Sequence, residues 1–256
     1  MRTLILCLLV IAVALVPATA GAQRQSAEAE RATRSYRIGW DLMRIEAWPD
    51  AAWRFQEAIE IDPKFALAYY SLGRAQMAMH KFREAIASYL KCRDLYLSRA
   101  GEQFSNQMEA NKYRDDQILE VQEAIRLATP TMGQAQTLTL YQQHLKNQLR
   151  VLEEARNRNS APMNITPQVP FFVSLALGSA YFRSEHFADA EREYKAAIDE
   201  NPRYGEAYNN LAVLYMMTGR LFEAEQSVQA AEKTGFRVPS GLKEDIRKTK
   251  AATADR

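Results

Sequence analysis

The sequence predicts an all-α protein in which helical hairpins stack as an α-solenoid, interrupted by a long antiparallel helical hairpin. Three observations support this fold class. The segments "DPKFALAYYSLG", beginning at Asp62, and "NPRYGEAYNNLA", beginning at Asn201, follow one pattern. Each segment belongs to a pair of similar units spaced 34 residues apart. The two pairs are separated by 71 additional residues that are patterned as two long helices. Such internal repeats indicate neighbouring units that bury one continuous core.

Residues 1–22 have the features of an export signal. Arg2 supplies a positive start, Leu4–Val16 is a run of 13 apolar residues, and the small residues of "ATAGA" follow. A run this short suits a signal peptide better than a membrane span, which needs about 20 residues. We expect cleavage after Ala20 or, preferably, after Ala22. The alternative is an uncleaved N-terminal anchor.

The composition excludes several classes of partner. The chain has 33 basic and 31 acidic residues, and it contains no block of like charge. It therefore offers no attraction to nucleic acid or to anionic lipid, and we expect no membrane insertion after cleavage. Only Cys92 would remain in the mature chain, so no intrachain disulfide is possible and apolar packing must supply the stability.

Four repeat units begin at Ala32, Ala66, Phe171 and Gly205. Small residues recur at the eighth, twentieth and twenty-seventh places, which lets two helices approach closely. An apolar residue that fills the space around this contact recurs at the twenty-fourth place. In unit order, these columns are Gly39, Gly73, Gly178 and Ala212; Ala51, Ala85, Ala190 and Ala224; Ala58, Cys92, Ala197 and Ala231; and Phe55, Tyr89, Tyr194 and Val228.

Turns within and between the units also repeat. The fifteenth to seventeenth places read "EAW", "HKF", "EHF" and "GRL", and the large third residue is expected to fix the turn to the core. Pro63 and Pro202 cannot continue a helix, so each ends one unit and begins the next. Each unit is therefore predicted to be a helical hairpin.

The columns resemble the tetratricopeptide repeat (TPR), whose pattern is Leu-Gly, then Tyr, Ala, an aromatic residue and a final Pro. The resemblance covers four units, about 136 residues. It departs from the family at the early Trp, which is absent, and at the closing Pro, which is replaced by Leu97 and Phe236 in units two and four. The resemblance implies a non-enzymatic protein-binding scaffold.

Residues 100–170 interrupt the repeats with two arms of heptad-spaced apolar residues, including Ile118 and Ile125 in the first and Leu145 and Leu152 in the second. Thr129-Pro130 suits the start of the second helix. Each arm of about 26 residues would be roughly 39 Å long. The hairpin is either an arm that projects and contacts a partner or a degenerate repeat pair that continues the stack.

The predicted organisation follows from these boundaries. It consists of a signal peptide (1–22), an N-terminal lead (23–31), TPR units 1–2 (32–99), the hairpin and its connector (100–170), TPR units 3–4 (171–238), and a capping helix with a tail (239–256).

No residue pattern in the sequence indicates catalysis, a cofactor or a metal site. His80 and His186 fall in turns and His144 falls in the second arm, without metal-ligand spacing. Cys92 stands where the other units have alanine and is interpreted as a small packing residue. The chain is therefore predicted not to be an enzyme.

The TPR resemblance implies that the second, fifth, ninth, twelfth and thirteenth places of each first helix line a concave groove. We expect this groove to be apolar, aromatic and Met-rich, and to bind a helix or an apolar segment. Truncation of Trp40 and Tyr70 is expected to leave folding intact. Alternatively, the residues before Ala32 or the central hairpin fill the groove. The predicted groove residues are Tyr36, Trp40, Met43, Tyr70, Arg74, Met77, Phe172, Phe182, Arg183, Asn209 and Met216.

Two functions follow from the sequence. The first is an exported TPR adaptor, periplasmic or secreted, that binds a protein or peptide through the concave groove. The second is a structural subunit of a cell-envelope or secretion assembly that contacts partners through the central hairpin. Neither the partner nor the oligomeric state follows from the sequence.

Overall fold

The structure, a computed structural model, describes residues 18–98, 107–127, 137–158 and 169–254. These residues form helices and no strand, so the predicted all-α fold class is confirmed. The described helices are α1 (Ala18–Arg44), α2 (Trp48–Ile61), α3 (Ala66–Ala78), α4 (Phe82–Ser98), α5 (Gln107–Leu127), α6 (Thr137–Asn157), α7 (Phe171–Arg183), α8 (Phe187–Glu200), α9 (Gly205–Met217), α10 (Leu221–Lys233) and α11 (Ser240–Ala254).

Most of the predicted signal peptide lies outside the described residues. Helix α1 begins at Ala18 and runs through both expected cleavage points, Ala20 and Ala22, into the first repeat unit. Within the part of the chain that the structure describes, no helix has both the length and the apolar character needed to cross a membrane.

Four helical hairpins correspond to the four sequence units: α1 with α2, α3 with α4, α7 with α8, and α9 with α10. The second helix of each hairpin begins at the large apolar residue that ends the turn. Every residue of the twentieth and twenty-seventh columns is fully buried. The small side chains at these two columns therefore lie at the helix contacts, as their repetition predicted.

The glycine column shows how closely the paired helices approach. A Cβ atom added at Gly39 or Gly73 would lie 2.6 Å from the ring of Phe55 or Tyr89, respectively. At Gly178 the corresponding distance to the Tyr194 ring is 2.7 Å. These distances leave no room for a methyl group, so glycine here is matched to an aromatic ring on the second helix. In unit 4 both residues differ, because Ala212 stands in place of the glycine and Val228 in place of the aromatic residue.

The turn inside each unit places its fifteenth residue in the left-handed backbone region. The φ angles are 59° at Glu46, 59° at His80, 62° at Glu185 and 75° at Gly219. This conformation commonly ends helices, and glycine adopts it without the steric strain that other residues incur. Three of the four turns therefore hold a non-glycine residue in a glycine-favouring conformation.

The repeated segments at Asp62 and Asn201 form equivalent turns between units. The backbone N–H groups of Phe65 and Tyr204 donate to the carbonyls of Asp62 and Asn201, at 3.0 Å each. The Asp62 and Asn201 side chains accept a second bond from the backbone two residues on, at 3.1 and 3.3 Å. Side chains of this type stabilise turns in this way, with proline at the next position. The sequence pattern recurs because the turn recurs.

The two repeat pairs form one stack, because α4 packs directly against α7. The Tyr70 and Phe172 rings meet edge to face with centroids 4.9 Å apart, and Arg93 pairs with Glu193 at 3.1 Å across the same junction. At the far end, α11 packs on α10 and buries Leu242 and Ile246. At the other end no described helix precedes unit 1, and its seventh-place residue, Ile38, is exposed.

Helices α5 and α6 form an antiparallel hairpin outside this stack. Arg156, near the end of α6, pairs with Asp115, in the first half of α5, at 3.5 Å. Each helix has 21 residues, against 13 or 14 in the helices of units 3 and 4. Because α4 meets α7 directly, the hairpin does not continue the stack as a degenerate repeat pair. Its first helix instead packs against α3.

Candidate functional site

The eleven predicted groove residues differ in their exposure. Tyr36, Met43, Tyr70 and Phe172 are buried, and Arg183 is exposed. The remaining six are half-buried: Trp40, Arg74, Met77, Phe182, Asn209 and Met216. The four buried residues belong to the packed interior in this conformation. A role in binding stays a prediction for all eleven.

Tyr70 shows why these side chains are buried. It is only 3% exposed, because its ring lies against Tyr89 within unit 2 and against Phe172 of unit 3. It therefore joins two repeat units. The expectation that truncation of Trp40 and Tyr70 leaves folding intact is not compatible with this packing, since removal of a buried ring costs several kcal/mol.

Arg74, a predicted groove residue of unit 2, contacts both unit 1 and the central hairpin. Its guanidinium carbon lies 4.9 Å from the centroid of the Trp40 ring and 5.9 Å from that of Tyr70. It donates a hydrogen bond of 3.1 Å to Glu123 of α5, whose side chain is only 4% exposed. Burial works against the charged form of Arg74, whereas Tyr70 and Glu123 favour it, and the net effect raises its pKa. Arg74 is thus a half-buried cation that a helix outside the stack neutralises.

A second ion pair holds the other end of α5. Lys112 lies 2.6 Å from Asp62, in the turn that connects unit 1 to unit 2. Glu123 follows Lys112 by eleven places, about three helical turns, so both side chains are on one face of α5. Leu119 is on the same face and packs against the core. The central hairpin therefore packs against the first repeat pair at Arg74 and Asp62, which favours the alternative that the hairpin fills the predicted groove.

The groove is more open in units 3 and 4. Arg183 is exposed and lies 5.5 Å from the centroid of the Phe82 ring. Met217, at the thirteenth place of unit 4, is 57% exposed and lies next to half-buried Met216. Asn209 has a buried amide oxygen without a hydrogen-bond partner among the described residues. This half of the groove therefore presents apolar side chains and a cation.

Glu191 of α8 joins units 3 and 4 by a different arrangement of charge. It accepts hydrogen bonds from Lys195 at 2.7 Å, Tyr215 at 2.9 Å and Arg220 at 2.6 Å. Partial burial alone would raise the pKa of Glu191, but the three donors outweigh this effect and lower it to about 2. This carboxylate is therefore ionised at any pH at which the stack is expected to function.

No reactive cluster is evident in the described part of the chain. It contains no group of three His, Cys, Asp or Glu side chains that could hold a metal ion. Cys92 is a buried thiol at a helix contact where the other units have alanine. His80 and His186 lie in separate turns, and the side chain of His144 lies outside the description.

Sequence reasoning missed Lys112 and Glu123, the two hairpin residues that contact the stack. A signal was present, since charged residues eleven places apart share one helical face. Opposite charges at Asp62 and Arg74 offered matching partners. Nothing in the repeat period indicated which side of the stack the hairpin would cover.

These features define a helical-repeat protein whose candidate site is a binding surface. Two family models of the tetratricopeptide repeat match the chain, at residues 55–87 and 175–236. These two regions of the chain are therefore similar to tetratricopeptide repeats. Repeat proteins of this kind use their extended concave surfaces for binding, which indicates a role in protein–protein interaction.

Several solved structures are similar to this chain at low identity. PilW, a widely conserved type IV pilus biogenesis factor, is 16% identical, with 86% of each chain covered and a TM-score of 0.39. TTC0263, a thermophilic TPR protein in Thermus thermophilus, is 17% identical, with 85% of this chain and 98% of the other covered and a TM-score of 0.36. YrrB, a TPR protein with an unusual peptide-binding site, is 16% identical, with 91% and 98% covered and a TM-score of 0.29. At these values the likeness carries no argument about function. A search of curated protein sequences found no match.

Proposed function

We propose that the protein is an exported adaptor that binds a protein or peptide segment through the concave surface of units 3 and 4. The observation that carries this proposal is that α5 occupies the concave side of units 1 and 2, whereas concave residues of units 3 and 4 are exposed. In units 1 and 2 the central cation is paired with α5. In units 3 and 4, Arg183 and Met217 are exposed and Phe182 and Met216 are half-buried.

The chemistry of this surface favours an apolar segment. Methionine and aromatic side chains adapt to different apolar partners, and a few such anchors supply most of the binding energy of an interface.

Export belongs to the same proposal. Its support is the charge and apolar pattern of residues 1–22, followed by small residues at the expected cleavage points. We propose a periplasmic or secreted mature chain that begins at Gln23 or Gly21. Mass spectrometry of the N-terminal peptide from fractionated cells tests this, and recovery of intact Met1 in membranes would favour the uncleaved anchor.

Site-specific photocrosslinking tests the binding surface. A photoreactive amino acid at Met217 should crosslink to a partner in native cells. The same amino acid at Phe222 is the matched control, because Phe222 is 67% exposed but lies on α10 rather than on the concave helix α9. Phe182→Ala should reduce the Met217 crosslink at least fivefold. Equal crosslinking at both positions would contradict a binding surface in the groove.

The alternative function, a structural subunit that uses the hairpin, is favoured by one observation. Val151 of α6 is a large apolar side chain that is 57% exposed, on the helix of the hairpin that follows α5. The same photoreactive amino acid at Val151 distinguishes the two functions. A partner captured at Val151 and not at Met217 would move the interaction to the hairpin.

A further inference from the structure

We propose that α5 is a displaceable internal ligand, and that the first two repeats form a second binding surface for an amphipathic helix of the same chemistry. This surface consists of Arg74 with the Trp40 and Tyr70 rings, and of Asp62 in the turn between the two units. In the structure α5 occupies it. The proposal goes beyond the function proposed for units 3 and 4.

The contacts of α5 define the ligand that this surface accepts. Glu123 neutralises Arg74 at 3.1 Å, and Lys112 neutralises Asp62 at 2.6 Å. Between them, Leu119 packs against the core. A helix that replaces α5 must therefore present a cation, an apolar residue and, about three turns after the cation, a carboxylate on one face. A helix with the opposite order of charges would place like charges together, which is unfavourable.

The stack does not need α5 to hold its two halves together. Units 2 and 3 meet directly through α4 and α7, with Tyr70 against Phe172 and Arg93 paired with Glu193. The chain leaves the stack after Ser98 and returns at Val169, on either side of that same junction. The hairpin can therefore leave the groove while the four units remain stacked.

The ion pair between Arg74 and Glu123 is suited to a reversible contact between α5 and unit 2. An isolated buried ion pair contributes little net stability, because desolvation of both charges offsets their attraction. When α5 leaves, Arg74 and Glu123 both regain water, so neither charge stays buried without a partner. A second helix that offers the same charges can therefore replace the interactions that α5 loses.

Hydrogen exchange on the full chain tests whether α5 can leave. Glu123→Lys places a cation against Arg74 and should raise the exchange rates of the α5 amides at least tenfold, while the rates in α7–α10 stay within twofold. The matched control is Gln122→Lys, which adds a positive charge at the exposed neighbouring position. The control should leave α5 exchange unchanged.

A synthetic peptide of residues 107–127 tests whether the vacated surface binds a helix. Labelled peptide should bind the Glu123→Lys protein at least tenfold more tightly than the parent protein, whose groove is occupied. A peptide with its own Glu123→Lys change should lose this binding. Equal affinity for both proteins, or no detectable binding to either, would overturn the proposal.

A second variant covers the case in which Glu123→Lys fails to fold. Lys112→Glu acts at the other end of α5, where both partners are partly exposed and the cost to folding is smaller. It should produce the same α5-specific rise in exchange. If Lys112→Glu leaves α5 protected, or if it raises exchange equally throughout α1–α10, then α5 is an integral part of the fold and the proposal fails.

Discussion

The first and second repeat pairs have the same hairpin architecture but different concave surfaces. The ninth place of the second unit in each pair is Arg74 in the first pair and Val213 in the other. The turn between units has Asp62 in the first pair and Asn201 in the other. Both charges that α5 contacts are therefore missing from units 3 and 4. These two places therefore distinguish the half that α5 contacts from the half in which Arg183 and Met217 are exposed.

The largest expected difference between the halves concerns their concave aromatic residues. Tyr70→Ala should lower the free energy of unfolding by about 3–5 kcal/mol, because the ring is buried at the junction of two units. Phe182→Ala should cost only about 1–2 kcal/mol, because that ring is already half-exposed. Urea denaturation followed by circular dichroism measures both. Equal losses would show that the second half is packed as fully as the first.

The next largest effect tests the charge arrangement of the second half. The pKa of Glu191 is about 2 in the folded state and lies below its unfolded value of 4.5. Its contribution is therefore present above about pH 4.5 and is lost as the pH falls through 2. Glu191→Gln should cost at most about 3 kcal/mol at pH 7, and the difference from the parent should disappear near pH 2.

The control for Glu191 is Glu225, which pairs with Lys250 on the surface at 2.7 Å. Glu225→Gln should change the free energy of unfolding by less than about 1 kcal/mol, because exposed ion pairs contribute little. Urea titrations of both variants across the acidic range compare the two. A Glu191 effect as small as the Glu225 effect would remove this carboxylate as the charge that joins units 3 and 4.

The halves should respond alike where they are built alike. Ala85→Leu and Ala190→Leu each place a larger side chain at a fully buried helix contact, and each should cost about 1–3 kcal/mol. Ala188→Leu, at an exposed position of the same helix as Ala190, is the matched control and should change little. Thermal unfolding ranks the three variants. A large difference between the two buried positions would mean that the repeat columns are not equivalent.

The smallest effect concerns the left-handed turns. Gly219→Ala should lower the free energy of unfolding by about 1 kcal/mol through backbone strain, because a Cβ atom there meets nothing within 4 Å. Glu185→Gly, in the equivalent turn of unit 3, should raise stability by up to about 1 kcal/mol. Chemical denaturation of both single variants checks the opposite signs. If both substitutions changed the free energy of unfolding in the same direction, side-chain contacts, and not backbone conformation, would determine the stability of these turns.

Local repetition made the hairpins predictable, whereas the position of the central hairpin depends on contacts between distant residues. The alanines at the twentieth place are buried in all four units because each unit packs its two helices in the same way. The repetition in the sequence therefore identifies them as residues of the helix contact. Glu123 and Arg74 are 49 residues apart, and their pairing occurs once. No repeated residue pattern indicates this pair. The helical periodicity of α5 is also compatible with a position on either side of the stack. Tyr70 is buried because unit 2 contacts unit 3 directly. The sequence did not predict this contact, because 71 additional residues separate the two units.

The short connections of the hairpin have a consequence for any competing partner. Residues 99–106 and 159–168 attach α5–α6 to the stack. Connections of this number of residues keep α5 at an effective concentration on the order of 1 mM near the surface of units 1 and 2. If the isolated helix binds with a dissociation constant of about 100 µM, the tether weakens the apparent affinity of a competitor about tenfold. Lengthening these two connections would lower the local concentration of α5 and so the amount of partner needed to displace it, without changing any residue of the surface.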